Sequence, residues 1–524
     1  MLLTNGRIHT MDAAGSVVDS LVIREGRVAF AGRRGDINPA PGEPTLDLGG
    51  RAVLPGLVDG HGHLMLLARA RLELSLGTAG SEDAVAEMVA AAAARRRPGE
   101  WITGRGWDQT RWPGQAYPSR AALDRAAPGH PVALVRVDGH ATWASGEALA
   151  RAGITRHSTD PQGGLIAKDG NGEPTGILID LAQDILRGLI PTPSEERFDQ
   201  AARDTIAECL AKGLTGAHEP GLDLPAVASY TRLIERGRFP FRVFAALSGK
   251  KAWGRYRDGA PETVGDGRLV VGAVKLWLDG ALGSRGAALH SPYCDDPANT
   301  GLVLVPPEDV ERLSREASAR GFHVWVHAIG DRANSMVLDV FEQVRSVGGP
   351  GSRLRVEHAQ ILTPADIPRF ARLGVVPSMQ PTHCTSDMRW ARERLGPERL
   401  AGAYAWRSLL DSGAYLAGGS DFPVEDANPF HGLHAAVTRR PLEGADPGWQ
   451  PEQRMTRDEA VRSFTIWNAR SIGLEADQGS LEVGKRADLI ALSDDVFTCA
   501  PAAIARITPT LTMVGGEVVA GGAD

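Results

Sequence analysis

A chain of 524 residues exceeds what one hydrophobic core usually supports, so a large domain with something smaller attached is expected. Its 57 Lys and Arg against 64 Asp and Glu leave a net charge of -7, and the one basic block is the short run Arg95-Arg96-Arg97, which argues against nucleic acid as a partner. Four scattered cysteines, Cys209, Cys294, Cys384 and Cys499, lack C-x-x-C spacing, which argues against a disulfide framework or a cysteine zinc site and suits a reducing cytoplasm.

The N-terminus, Met1 to Ile8, has no basic segment leading into a long apolar one, and no run of ~18 apolar residues occurs anywhere. A soluble, unprocessed cytoplasmic protein with no membrane partner is expected. Up to about residue 55 the pattern predicts short strands broken by turns: Leu2–His9, Ser20–Arg24, Arg27–Ala31 and Arg51–Leu54. The same texture returns in Ala487–Leu492 and Pro509–Val519. Residues 1–55 and 473–524 are therefore expected to meet in one small sheet domain.

Leu54 to Leu64 is an apolar run that passes through Pro55 and Gly56 and ends in His61-Gly62-His63. It predicts a buried strand delivering two imidazoles to its C-terminal end, on one side because side chains alternate. Gly60 and Gly62 would leave room for a metal to approach the backbone. By itself, a His-x-His is more often two polar residues at a strand end.

Between this strand and the next lie about 150 residues, far more than one βα unit needs, so an insertion at about 75–193 is expected. It holds an alanine-rich helix from Ser81 to Arg97, then Trp101, Trp107, Trp112 and Trp143, with turns at Gly163-Gly164 and Asn171-Gly172. The tryptophans fit two readings equally: the core of a small subdomain, or aromatic surface lining a substrate pocket.

Seven further strands follow: Leu214–His218, Phe241–Ala246, Leu269–Leu278, Phe322–Ala328, Leu354–His358, Val375–Gln380 and Ala414–Ser420. Several are separated by expected helices, Ser194–Lys212, Pro307–Arg320, Asn334–Val347 and Pro364–Leu373, and a last helix, Arg457–Ile472, would close the set. Eight such units over residues 56–472 predict a (β/α)8 barrel of the TIM type, with chemistry at the strand ends.

His327, His358 and Asp421 fall at the ends of the fifth, sixth and eighth strands, while His323 lies a full strand before His327 and is expected to be structural. Lys275 is embedded in the nearly continuous apolar fourth strand. A buried ammonium must find a carboxylate, with Asp279 or Glu219 as the alternatives here, or lose its proton. A neutral amine can add carbon dioxide to become an anionic carbamate able to bridge two metals.

Together, Pro55-Gly56-Leu57-Val58-Asp59-Gly60-His61-Gly62-His63, Lys275 to Arg285, His327-Ala328-Ile329-Gly330-Asp331, Glu357-His358, Gly419-Ser420-Asp421-Phe422-Pro423 and Gly479 to Leu489 resemble the amidohydrolase superfamily, in the branch that includes N-substituted formamide deformylases. The resemblance covers nearly the whole chain. It implies a metal-dependent hydrolase with a (β/α)8 barrel and a composite β-sandwich built from both termini. It also implies two divalent ions, often zinc: one on His61, His63 and Asp421, the other on His327 and His358, bridged by carbamylated Lys275. Gly106-Trp107-Asp108 and Asp138-Gly139-His140 look like patterns of that branch, making Trp107 and His140 candidates for the pocket wall. Arg285 is a candidate for a substrate oxygen, although a structural ion pair is at least as common. Glu219, where an aspartate is expected, is either an extra ligand or an acceptor for an imidazole N–H.

The expected activity is hydrolysis of a C–N bond in an amide, formamide or related N-acyl group of a small molecule. Divalent ions make hydroxide available near neutral pH and polarise the carbonyl. Asp421, the only acidic member of the ligand set, falls by elimination into the role of proton shuttle. The alternatives are deamination of a ring C–N bond, or a scaffold of the same fold without chemistry. A homodimer is the assembly expected.

Overall fold

The computed structural model of the protein describes residues 1–37, 42–137, 139, 141–161, 164–347, 352–443 and 448–522. It divides into two compact units, one of residues Met1–Met65 with Arg203–Asp524 and one of residues Leu66–Ala202.

The first unit contains a parallel eight-stranded barrel sheet. Its strands, in chain order and in order around the sheet, are Leu57–Asp59, Leu214–Leu222, Arg242–Leu247, Leu269–Trp277, His323–Ala328, Leu354–His358, Val376–Met379 and Ala417–Gly418. Helices Leu224–Glu235, Pro307–Ser318, Asp331–Val347 and Ile367–Leu373 alternate with them. Buried on both faces, such strands are apolar almost throughout, which is why they stand out in the sequence.

The first and eighth strands are joined by a seam. Gly60 N donates to Gly418 O at 2.8 Å and Val58 N to Phe464 O at 2.8 Å. Asn468 Nδ2 donates to both Val58 O at 2.7 Å and Gly418 O at 2.9 Å. That stitching explains a departure from expectation. The helix predicted over Arg457–Ile472 is two helices, Arg457–Ser463 and Ile466–Ser471, because Phe464 gives its carbonyl to the first strand and Thr465 leaves helical geometry (φ -131°, ψ -104°).

Both termini supply two further sheets. One has the order Arg27–Gly32, Ser20–Arg24, Leu2–Thr4, Thr45–Asp47; the other has Glu517–Gly521, Pro509–Val514, Leu489–Leu492, Ala52–Pro55, Arg7–His9, Val17–Val18. Leu3, Ile23, Val53, Leu489 and Met513 are packed in one core between them. Two expected single strands are divided. Asn5 takes a left-handed φ of 56°, so Leu2–Thr4 and Arg7–His9 enter different sheets. The run from Leu54 likewise divides at Gly56, whose N donates to Asp488 O at 2.9 Å as the chain passes from the terminal sheet to the barrel.

The second unit, within which the expected insertion falls, has a six-stranded sheet in the order Gly164–Lys168, Pro174–Asp180, Ala141–Ala144, Val132–Arg136, Ile102–Trp107, Leu74–Ser75. Its alanine-rich helix runs Glu82–Ala93, capped by Ser81, whose side chain accepts from Ala84 N. The turn at Gly172 closes with its N–H on Asp169 O at 2.9 Å, whereas Gly163 lies outside the described residues. Among the described residues no helix is long and apolar enough to cross a membrane.

Candidate metal centre

The first barrel strand stops at Asp59, so His61 and His63 stand on the loop beyond it, and hydrogen bonds rather than strand alternation make them converge. Asp421 N donates to His61 O at 2.7 Å and His63 N to Phe422 O at 2.8 Å. Asp59 pins both loops, accepting from His61 N at 3.0 Å, Ser420 N at 3.1 Å and Ser420 Oγ at 2.7 Å. Gly60 and Gly62, expected from the sequence to leave room for a metal, instead make room for protein atoms. A Cβ on Gly60 would lie 2.5 Å from Asn468 Oδ1, and one on Gly62 would lie 2.2 Å from the Phe422 ring, so their space is filled by protein.

These loops place Asp421 Oδ1 3.2 Å from His63 Nε2 and 3.5 Å from His61 Nε2. His327, near the end of the fifth strand, has its ring 4.6 Å from that of His358, which ends the sixth; His358 is in turn 4.8 Å from the His61 ring. The ligand atoms of His61, His358 and Asp421 lie within 4.8 Å of one another. His358 thus stands between the two ligand groups that the family resemblance separates. His358 and Asp421 have φ of 74° and 60°, conformations that cost about 1–3 kcal/mol each in a non-glycine residue and persist where surrounding structure fixes them.

Burial pushes the imidazolium forms of His61 and His358 well below their usual range, with the Lys275 charge adding to the effect, and takes His327 down to about 3. Neutral imidazole is the form that binds a metal. His327 Nε2 is buried, 3.5 Å from Asp279 Oδ1, and has no hydrogen-bond partner among the described residues. A buried nitrogen left open on a ring 4.6 Å from the His358 imidazole fits a divalent ion, and imidazole with carboxylate suits zinc. Burial also works against the Asp421 carboxylate, yet the imidazoles of His61, His63 and His383 hold it well below the usual range.

Lys275 is buried, and burial lowers its ammonium to about 8 against the opposing pull of Glu357 and Asp421. The two carboxylates offered as alternative partners are engaged elsewhere. Asp279 accepts from Ala288, Ile329 and Gly330 N–H groups at 2.9, 3.0 and 2.8 Å. Glu219 accepts from Met65 N at 2.7 Å and from Tyr230 Oη–H at 2.6 Å, which anchors the start of the helix Leu64–Ala70.

Behind the candidate ligands lies a layer that the sequence analysis does not single out. Glu357 Oε2 is 2.5 Å from His61 Nδ1, and the same carboxylate receives Arg355 through Nε at 3.0 Å and Nη2 at 3.1 Å. Arg355 is wholly buried, lies 4.1 Å above the Trp325 ring, and also donates to Gly60 O and Ser378 Oγ. Gln380 Oε1 is 2.8 Å from His358 Nδ1. With Nδ1 held in each case, Nε2 of His61 and of His358 is free to face a metal.

His323 bonds Ile472 O and Arg353 N, as expected of a structural residue. Arg285 is ion-paired with Asp295 at 2.9 Å. Trp107 is fully buried within its own unit, donates to Leu134 O at 2.7 Å, and packs against Trp112 and Trp143 at 6.0 and 6.1 Å between ring centres. That is the packing of a subdomain core. His140 lies outside the described residues.

Residues 45–520 match the amidohydrolase family. The chain is similar to the protein LONG AFTER FAR-RED 3 of Arabidopsis thaliana, with 35% identity over 511 residues that cover 94% of this chain and 87% of that one. It is also similar to an N-substituted formamide deformylase of Arthrobacter pascens, with 29% identity over 534 residues, 98% of this chain and 97% of that one. The solved structure of a metal-dependent hydrolase from Pyrococcus horikoshii OT3 aligns with a TM-score of 0.81 at 28% identity, covering 95% of this chain and 98% of its own.

Proposed function

The chain belongs to the amidohydrolase family and is a metal-dependent hydrolase; from that premise we propose that it cleaves a C–N bond in an amide, formamide or related N-acyl group. Two divalent ions, with zinc the best fit, would be held by His61, His63, Lys275, His327, His358 and Asp421. The observation that carries this reading is the convergence of His61, His358 and Asp421 to within 4.8 Å, with the buried Lys275 acting on His61 and Asp421 through its charge. The similarity to a formamide deformylase supports the choice of bond.

Lys275, with its ammonium brought down to about 8, offers enough neutral amine to add carbon dioxide. The new N–C bond releases one proton and leaves a carbamate whose oxygens would help hold the ions. Glu357 and Gln380 hold the ligand tautomers of His61 and His358. Divalent ions held by these residues would supply hydroxide near neutral pH and polarisation of the scissile carbonyl. Asp421 takes the proton released on attack and delivers it to the departing amine, which must be protonated to leave.

The test is elemental analysis of protein purified without chelator, followed by turnover of a panel of N-acyl and formamide compounds. Two ions per chain and hydrolysis of at least one compound are expected. Metal-replete protein that turns over none of them overturns the reading.

A further inference from the structure

The short helix Pro381–Asp387 follows the seventh strand, and its first turn brings His383 to the edge of the ligand cluster. The His383 side chain is only 10% exposed, and its ring stacks on His358 with centroids 6.0 Å apart and planes at 18°. Its Nε2 stands 3.8 Å from Asp421 Oδ2, beyond hydrogen-bond distance. That nitrogen is buried and has no hydrogen-bond partner among the described residues. Nδ1, by contrast, is engaged, since Gln360 Nε2 donates to it at 3.3 Å. A neutral imidazole that accepts at Nδ1 carries its proton on Nε2. His383 therefore presents an N–H beside Asp421, and a buried donor without a partner calls for a ligand to complete it.

We propose that His383 Nε2–H donates a hydrogen bond to the carbonyl oxygen of the substrate, gripping it more tightly as that oxygen gains negative charge, and that Gln360 is the positioning residue that keeps the proton on Nε2. This rests on the acyl C–N hydrolase reading of the site. His383 keeps its proton throughout; only the charge on the oxygen it faces changes. Such a donor, aimed where charge develops, lowers the barrier without changing protonation state. The end of the seventh strand then has two tasks, with Gln380 orienting His358 and His383 meeting the substrate.

The test uses the metal-loaded full chain and whichever N-acyl or formamide compound the parent turns over fastest. His383→Phe, which keeps a ring but removes the donor, is expected to lower kcat by about 10²- to 10³-fold with metal content unchanged. His383→Gln, which returns an N–H near the same place, should recover part of the loss, and Gln360→Leu should lower kcat about tenfold. Two readouts do not depend on turnover. Affinity for a phosphonamidate analogue, which carries the tetrahedral charge, should fall with kcat in His383→Phe while affinity for the product amine holds. Nitrogen NMR of histidine-labelled parent should show the His383 proton on Nε2. If the Phe variant does not fold, Gln360→Leu and the tautomer measurement decide. Parent-like kcat in a metal-replete His383→Phe, or a ring protonated on Nδ1, overturns the proposal and leaves the hydrolase reading standing. A metal-replete parent that hydrolyses no N-acyl compound overturns that reading and the donor assignment with it.

Discussion

Glu357 holds His61 from behind: its Oε2 lies 2.5 Å from His61 Nδ1, on the side of the ring opposite the nitrogen that faces Asp421. The carboxylate fixes the tautomer and raises the basicity of Nε2. Glu357→Gln keeps the shape of the side chain but not the charge. A loss of about 10- to 100-fold in metal affinity is expected, read by competition with a chromophoric chelator. An unchanged affinity would remove Glu357 from the metal centre.

Arg355 is the counter-ion that makes a buried Glu357 tolerable. Burial alone would push that carboxyl up, and the Arg355 and Lys275 charges hold it below the usual range. Arg355→Met should destabilise the protein by about 3–5 kcal/mol, because it leaves Glu357 buried without its bidentate partner. Denaturant unfolding of the metal-free protein measures this apart from any effect of metal on stability. A change under about 1 kcal/mol would mean that water or Lys275 replaces the guanidinium.

Trp107 tests the second unit. Truncating this fully buried ring, as Trp107→Ala, should cost about 3–5 kcal/mol while metal content stays at the parent level. Near-parent stability, together with a changed preference among substrates, would instead return Trp107 to a pocket wall.

The barrel is legible in the sequence because parallel strands buried on both faces leave long apolar runs, and its candidate ligands are legible because they fall where those runs end. Lys275 stands out for the same reason, as a charge inside such a run. What escapes is whatever depends on contact across the sheet. Gly56 divides one apolar run between two sheets, yet nothing in the run marks the division, since both halves are buried. Arg355 and Glu357 did leave a signal: they alternate in Leu354-Arg355-Val356-Glu357-His358, so both lie on one face of a wholly buried strand. His383 left none, since it sits inside a helix after the strand end, and only its contacts with Gln360 and His358 single it out.

Lys275→Ala is expected to lose most bound metal and activity, with partial recovery on adding a short carboxylic acid that supplies the missing oxygen ligands. Mass spectrometry of the parent under mild conditions, or density at Nζ in metal-replete crystals, checks the carbamate directly. An unmodified lysine at a metal-filled site would rule out the bridging role.

Asp421→Asn separates ligation from proton transfer. The variant keeps an oxygen that can face the metals but cannot accept a proton at neutral pH. In the parent, burial tends to raise the Asp421 pKa, while His61, His63 and His383 hold it well below the usual carboxylate range, so it is ionised and ready to accept. With the shuttle gone, kcat should fall by about 10²- to 10⁴-fold while part of the metal is retained. Activity should fall least for substrates whose leaving amine is least basic, because those depart with the least help from an acid. That dependence is what a purely ligating Asp421 would not produce, since weaker metal binding slows all substrates alike. A metal-replete Asp421→Asn protein that turns over like the parent would move the shuttle to another group, with Glu219 or His140 the next to be replaced.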